Sequence, residues 1–169
     1  MKNVSFLCGL LSVVLLFSSC TEDETVNRLK LGYYLVFGTY YGECAENCVN
    51  IYYLRPGEQH LSVASEPQYP DYKANGFPYG LHFVTLSQQQ YKLTKDLINQ
   101  VPENLLIETA LVIGEPDATD QGGVYVEINH RNMMHKYYID TNKDAIPAYL
   151  HDFVDEILNT VAALREDES

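Results

Sequence analysis

Apolar and polar positions alternate with a period of two from Leu31 onward. Leu31, Tyr33, Leu35 and Phe37 fall on one face, and Gly32, Tyr34, Val36 and Gly38 on the other. Period two belongs to a β-strand, whose successive side chains point to opposite faces. Val49 to Leu54 alternates again and stops at Arg55-Pro56-Gly57-Glu58, a turn signal, so Gln59 to Ala64 is expected to return as the second arm of a hairpin. Glu66 to Gly80 is broken by Pro67, Pro70, Gly76, Pro78 and Gly80 and reads as a long loop, followed by a short strand over Leu81 to Leu86. Val124, Val126, Ile128 and His130 alternate with Tyr125, Glu127 and Asn129. Arg131-Asn132 then turn the chain, and Met133 to Asp140 return as the paired strand.

Two segments change period. Ser87 followed by Gln90 is a capping box that opens a helix to about Val101, with Tyr91, Thr94, Leu97, Ile98 and Val101 at helical spacing and Pro102 closing it. Near the C-terminus, Ile146, Tyr149, Leu150, Phe153, Val154, Ile157, Leu158, Val161 and Leu164 trace one apolar stripe opposite Asp152, Asp155, Glu156 and Asn159. Asp144 is its expected cap, with Pro147 in the first turn. Leu105 to Ile113 fits either a short strand or a packed loop, and Gly114 to Gly123 is a polar loop. The sum predicts an α+β domain: a mostly antiparallel sheet with two amphipathic helices packed on one face.

The N-terminus carries a different pattern. Lys2 precedes an uncharged apolar run, Phe6 to Phe17, which is followed by Ser18-Ser19. That is the plan of a cleavable secretory signal over residues 1–19, with a run too short to span a bilayer as a helix. Cys20 directly after Phe17-Ser18-Ser19 resembles the lipobox of bacterial lipoproteins, although the usual first residue is Leu rather than Phe17. The resemblance implies that Cys20 is lipidated and becomes the new N-terminus, held at the membrane by two or three acyl chains. The acidic stretch Thr21-Glu22-Asp23-Glu24-Thr25 resembles the surface-export signal of Bacteroidota lipoproteins. The expected organisation is a signal over 1–19, a lipidated acidic tether over 20–30, one domain over 31–165 and an acidic tail over 166–169. The expected address is the outer membrane, lipid-anchored and facing the cell surface.

Charge and cysteine content narrow the function classes. The formal net charge is −12, and losing Lys2 with the signal makes it more negative still. A chain this acidic has no electrostatic basis for binding nucleic acid, whose phosphates demand Lys and Arg. Of four cysteines, Cys8 leaves with the signal and Cys20 carries lipid, which leaves Cys44 and Cys48 in an oxidising compartment. A disulfide is the first expectation for this pair. It requires that residues 42–48 form a turn or one helical turn, because four residues of strand would separate the Cα atoms by roughly 13 Å. A redox pair or half of a metal site are the alternatives.

The order of these signals resembles a family. Phe-Gly-Thr-Tyr-Tyr-Gly-Glu-Cys-Ala-Glu-Asn-Cys (37–48), strands, a helix, the Ile-Gly-Glu-Pro-Asp-Ala-Thr-Asp-Gln-Gly-Gly loop (113–123), a Val-Tyr-Val-Glu-Ile strand and a terminal helix follow one another. Together they are similar to an uncharacterised family of small Bacteroidota-type secreted lipoproteins with an FG-x-C-x3-C opening segment. The similarity spans roughly residues 33–165. Where some relatives carry further cysteines, this chain has Glu115 and Ala118. The resemblance implies a fold and no established activity or cofactor.

Candidate chemistry is sparse. His60, His82, His130, His135 and His151 show no recognised ligand spacing, although His130 and His135 flank a hairpin turn and would approach one another if in register. Asp117, Thr119 and Asp120 lack the alternation of a calcium loop and suit Asx-turns equally well. No catalytic or metal-ligating residue is therefore assigned. Fourteen Tyr and no Trp is an unusual balance, and Tyr69, Tyr72, Phe77 and Tyr79 concentrate in the Pro/Gly-framed loop. An amphipathic ring suits recognition of a glycan or protein, and equally suits pinning a loop to its own domain. The expectation is a non-catalytic binding or accessory module with these four residues as contacts. The alternative is a small periplasmic or surface enzyme, redox or hydrolytic, using Cys44/Cys48 or an acidic cluster.

Overall fold

The computed structural model describes residues 33–72, 78–80, 82–130 and 133–167. The signal, Cys20, the acidic tether, Phe77 and the Arg131-Asn132 turn lie outside the described residues. Seven strands form one sheet: β1 (Tyr34–Tyr40), β2 (Val49–Arg55), β3 (His60–Ala64), β4 (Phe83–Thr85), β5 (Val112–Ile113), β6 (Gly123–His130) and β7 (Met133–Asp140). Their order is β4-β3-β2-β1-β6-β7-β5. Every neighbouring pair is antiparallel except β5 and β7, which run parallel. Two α-helices, α1 (Gln88–Thr94) and α2 (His151–Glu166), complete an α+β fold.

Both helices cover one face, α1 against β3 and α2 against β1 and β6, and they touch each other. This face buries Leu35, Phe37, Leu54, Val126 and Ile128 against Phe153, Val154, Ile157, Val161 and Leu164 of α2. At ~1.5–3 kcal/mol for each fully buried large side chain, α2 is a main contributor to the core.

The capping box forms as the sequence predicts. Gln90 N donates to Ser87 Oγ at 3.2 Å, and Ser87 N donates to Gln90 Oε1 at 2.9 Å. The helix is shorter than its apolar spacing suggests, ending at Thr94 rather than Val101. There the Thr94 hydroxyl donates back to the Tyr91 carbonyl at 3.0 Å, a side-chain bond that competes with continued helix. A tighter 3-10 turn, Leu97–Gln100, then carries Leu97 and Ile98 into the same core. The C-terminal helix also starts later than expected. Asp144 is not its cap, and the Asn142 side chain instead accepts from Asp144 N at 3.1 Å to open a separate 3-10 turn. Ile146 is extended (φ −122°, ψ 153°), the conformation imposed on a residue that precedes proline. Pro147 therefore separates two short 3-10 turns, and α2 proper begins at His151. The ambiguous stretch after Pro102 is a 3-10 turn, Glu103–Ile107, followed by the two-residue strand β5.

Candidate functional site

The face of the sheet turned away from the helices is the less ordinary one. Alternation places Tyr34, Val36 and Tyr40 of β1, Ile51 and Tyr53 of β2, Tyr125 and Glu127 of β6 and Tyr138 of β7 on it. Most antiparallel sheets with helices on one side leave the other to solvent. Here Val36, Tyr40, Ile51, Tyr125 and Tyr138 are all buried in a second apolar cluster, joined by Tyr72 and Tyr79 from the loop that follows β3. Tyr72 lies on Tyr138 and Tyr40, with ring centroids 4.7 and 6.4 Å away, and its hydroxyl shares a 3.1 Å hydrogen bond with that of Tyr40.

Glu127 sits among these rings and is 1 % exposed. Three phenols donate to its carboxylate: Tyr34 to Oε1 at 2.8 Å, Tyr79 to Oε2 at 2.7 Å and Tyr125 to Oε2 at 2.8 Å. A carboxylate offers about four acceptor positions, so Oε1 keeps one. No Lys, Arg or His among the described residues forms an ion pair with it. A buried charge is costly, and here three hydrogen bonds offset part of the cost, with Lys136 opposite Glu127 in the β6/β7 register.

Around Glu127 the side chains close into a circuit. Tyr34 packs edge-on against Tyr53 at 5.1 Å, Tyr53 against Phe83 at 5.5 Å, and Phe83 against Tyr79 at 5.6 Å. The Tyr79 and Tyr34 hydroxyls complete it through the two oxygens of Glu127. The circuit borders an open cavity of about 240 Å3, lined by these five residues and Val36. Its rings are half-buried at the rim, whereas Glu127 and Val36 are buried. Arg55 is close, its guanidinium carbon 5.3 Å from the Tyr53 ring centroid, but its charge is paired with Glu58 at 2.7 Å and it does not line the cavity.

The electrostatics define the roles these groups can play. Burial, followed by the hydrogen bond to Glu127, holds the Tyr34 and Tyr79 hydroxyls well above the ordinary phenol range. Tyr125 is raised in the same way, by burial first and then by the charge of Glu127. At neutral pH these phenols are donors, not bases or nucleophiles. The site can therefore receive a positive charge or a hydrogen-bond donor at Glu127 and an apolar surface at the rings.

The residues singled out from the sequence are placed separately. Tyr72 and Tyr79 hold the loop to the sheet, and of the two only Tyr79 reaches the cavity. Tyr69 is 48 % exposed, donates to Asp117 Oδ2 at 2.7 Å, and meets the Tyr40 ring edge-on at 5.6 Å. Cys44 and Cys48 form a disulfide on a turn, with Cα atoms 5.6 Å apart. Asp117 serves its own loop: its backbone is left-handed (φ 60°) and its Oδ1 accepts from Gly122 N at 2.8 Å. His130 pairs with Met133 and His135 with Ile128, so the two histidines are out of register. His130 packs on Tyr33 at 4.9 Å, and His135 Nδ1 lies 3.3 Å from the Tyr137 hydroxyl. Among the described residues no group of three His, Cys, Asp or Glu is placed to hold a metal ion, and no helix is long and apolar enough to cross a membrane. A larger, open depression of about 730 Å3 is lined by Asn47, Asn50, Ser65, Arg165 and Glu166 together with Val63 and Pro67.

Sequence reasoning missed Glu127, Tyr34, Tyr53 and Phe83. The signal was present: Tyr34, Tyr53 and Tyr125 sit at alternate positions of three strands, marking a second face too aromatic to be left to water. No protein-family model, curated protein or solved structure matches this chain.

Proposed function

We propose that the chain is a lipid-anchored protein of the bacterial outer membrane whose folded domain is a non-catalytic binding module, with the cavity at Glu127 as its ligand seat. The observation that carries this reading is the closed circuit of Tyr34, Tyr53, Phe83, Tyr79 and Glu127 around that cavity. Ligand sites combine mostly apolar walls with a few convergent polar groups, and this one is built on four strands, β1, β2, β4 and β6, rather than on loops alone. Its small volume suits a small molecule or a single projecting group. Tyr79 links the expected aromatic loop to the seat, whereas Tyr69 lies at the other end of β1, against Tyr40 and Asp117. The anchor rests on Ser18-Ser19-Cys20 and on the similarity to small secreted lipoproteins, and the acidic stretch after Cys20 supports exposure at the cell surface.

Two measurements test this reading. For the anchor, the full-length chain is expressed in a Gram-negative host fed an alkyne-bearing fatty acid. Label is expected on the wild-type protein and absent from Cys20→Ala, and equal labelling of both would refute the anchor. For the seat, thermal unfolding of the full-length protein is followed against a panel of small amines, sugars and aromatic acids. A ligand at a hundred times its Kd stabilises by about 2.7 kcal/mol. A panel in which no member shifts the midpoint, or in which the shift survives Glu127→Gln and Tyr53→Leu, would remove the cavity as the seat.

A further inference from the structure

We infer that the cavity at Glu127 takes an organic ammonium group, its positive charge facing the free acceptor position of the carboxylate and its alkyl substituents lying against the faces of Tyr34, Tyr53, Tyr79 and Phe83. This inference rests on the binding-module reading and names the chemistry of the ligand. Three features of the site converge on it.

The first is Glu127 itself, a carboxylate that is 1 % exposed and has no ion-pair partner among the described residues. Three phenols solvate it and none carries a positive charge. Lys136, its register partner on β7, reaches over the Tyr138 ring at 6.0 Å and does not line the cavity, so a cation entering from the β1 side meets the carboxylate in surroundings that screen it weakly. The second is the ring of aromatic side chains. The face of an aromatic ring is electronegative, and several rings around one volume attract a cation that is poorly hydrated. An alkylated ammonium is such an ion, whereas an inorganic cation would have to give up its water to reach the rings. The third is size. At about 240 Å3 the cavity falls below the range of drug-sized sites and matches a compact headgroup. The acid-rich chain, at net charge −12, favours approach of cations over anions.

The test is isothermal titration of the full-length protein in a non-ionic detergent and an amine-free phosphate buffer. Two probes of the same shape are compared: choline chloride, with sodium chloride as the salt control, and 3,3-dimethylbutan-1-ol, in which a neutral carbon replaces the charged nitrogen. Choline is expected to bind saturably and the neutral isostere at least about tenfold more weakly. Glu127→Gln is expected to weaken choline about tenfold and leave the isostere unchanged. Tyr53→Leu, which keeps the carboxylate, is expected to weaken choline as well, so the comparison survives if one variant does not fold.

Equal binding of the two probes to the wild-type protein overturns the ammonium assignment while leaving the cavity a neutral ligand seat. Binding of neither, with a non-cationic member of the wider panel binding instead, does the same. Silence of both probes and of the whole panel takes the binding-module reading down with it.

Discussion

Two adjacent tyrosines on β7 face opposite sides of the sheet and show how differently the same side chain is used. Tyr137 points to the helix side, where its hydroxyl lies 2.5 Å from the Leu105 carbonyl and 3.1 Å from that of Glu108, tying the chain after α1 to the sheet. Tyr138 points to the aromatic side, and its hydroxyl is buried with no hydrogen-bond partner among the described residues. A buried polar group with a partner contributes about 1 kcal/mol, whereas one without a partner is a net cost. Tyr137→Phe is therefore expected to lower unfolding stability by about 1 kcal/mol, and Tyr138→Phe to leave it unchanged or raise it. Urea denaturation of the two variants side by side decides this. Glu127 was not legible at this scale. A lone Glu between Val126 and Ile128 reads as the polar face of a half-exposed strand, and only the pairing of β6 with β1 brings it beside Tyr34. The Cys44–Cys48 bridge was legible, because an even pair of cysteines in an oxidising compartment is expected to join, and the close Cα atoms this needs excluded strand between them.

At the scale of elements, local signals succeeded wherever a side chain acts on its own backbone. The capping box at Ser87 is such a case. Ser87→Ala removes the acceptor for Gln90 N and is expected to cost about 1 kcal/mol. Circular dichroism should show the loss in helical signal, because α1 has only seven residues and its first turn starts at this cap. Hydrophobic spacing located both helices but misjudged their limits. An apolar stripe records which residues reach the core, and a 3-10 turn or an extended residue before proline delivers them there as readily as an α-helix does. The sheet shows the same limit. Each hairpin was readable from its turn residues, whereas the union of β1 with β6 and the parallel placement of β5 beside β7 were not. Nothing local to those segments encodes the neighbour that each receives from a distant part of the chain. Gly38 hints at one such approach: a Cβ there would stand 1.9 Å from the Asn50 carbonyl oxygen, so only glycine lets β2 come so close.

The whole molecule is built around protonated phenols, and that makes it sensitive to alkali. Burial, then the charge of Glu108, pushes Tyr137 up to about 12, and burial, then Tyr72, pushes Tyr138 to about 12. In the unfolded chain both titrate near 10. Above pH ~10 the folded state therefore holds protons that the unfolded state has released, and stability falls as pH rises. The contribution is complete below pH ~10 and is lost through pH ~12. A spectrophotometric titration at the phenolate band should show a group of tyrosines that ionises late and together with loss of the fold. Normal titration of every tyrosine with the fold intact would contradict it. The order of the sheet has a further consequence. Its centre, β1 against β6, joins residues as far apart in the chain as Tyr34 and Glu127, 93 positions from one another. Contacts across such intervals slow folding, since the intervening chain must be ordered before they form. The hairpins on either side can close early, but the carboxylate and the rings that surround it meet only when the two halves join. In time, then, contact order places the cavity among the last parts of the molecule to form.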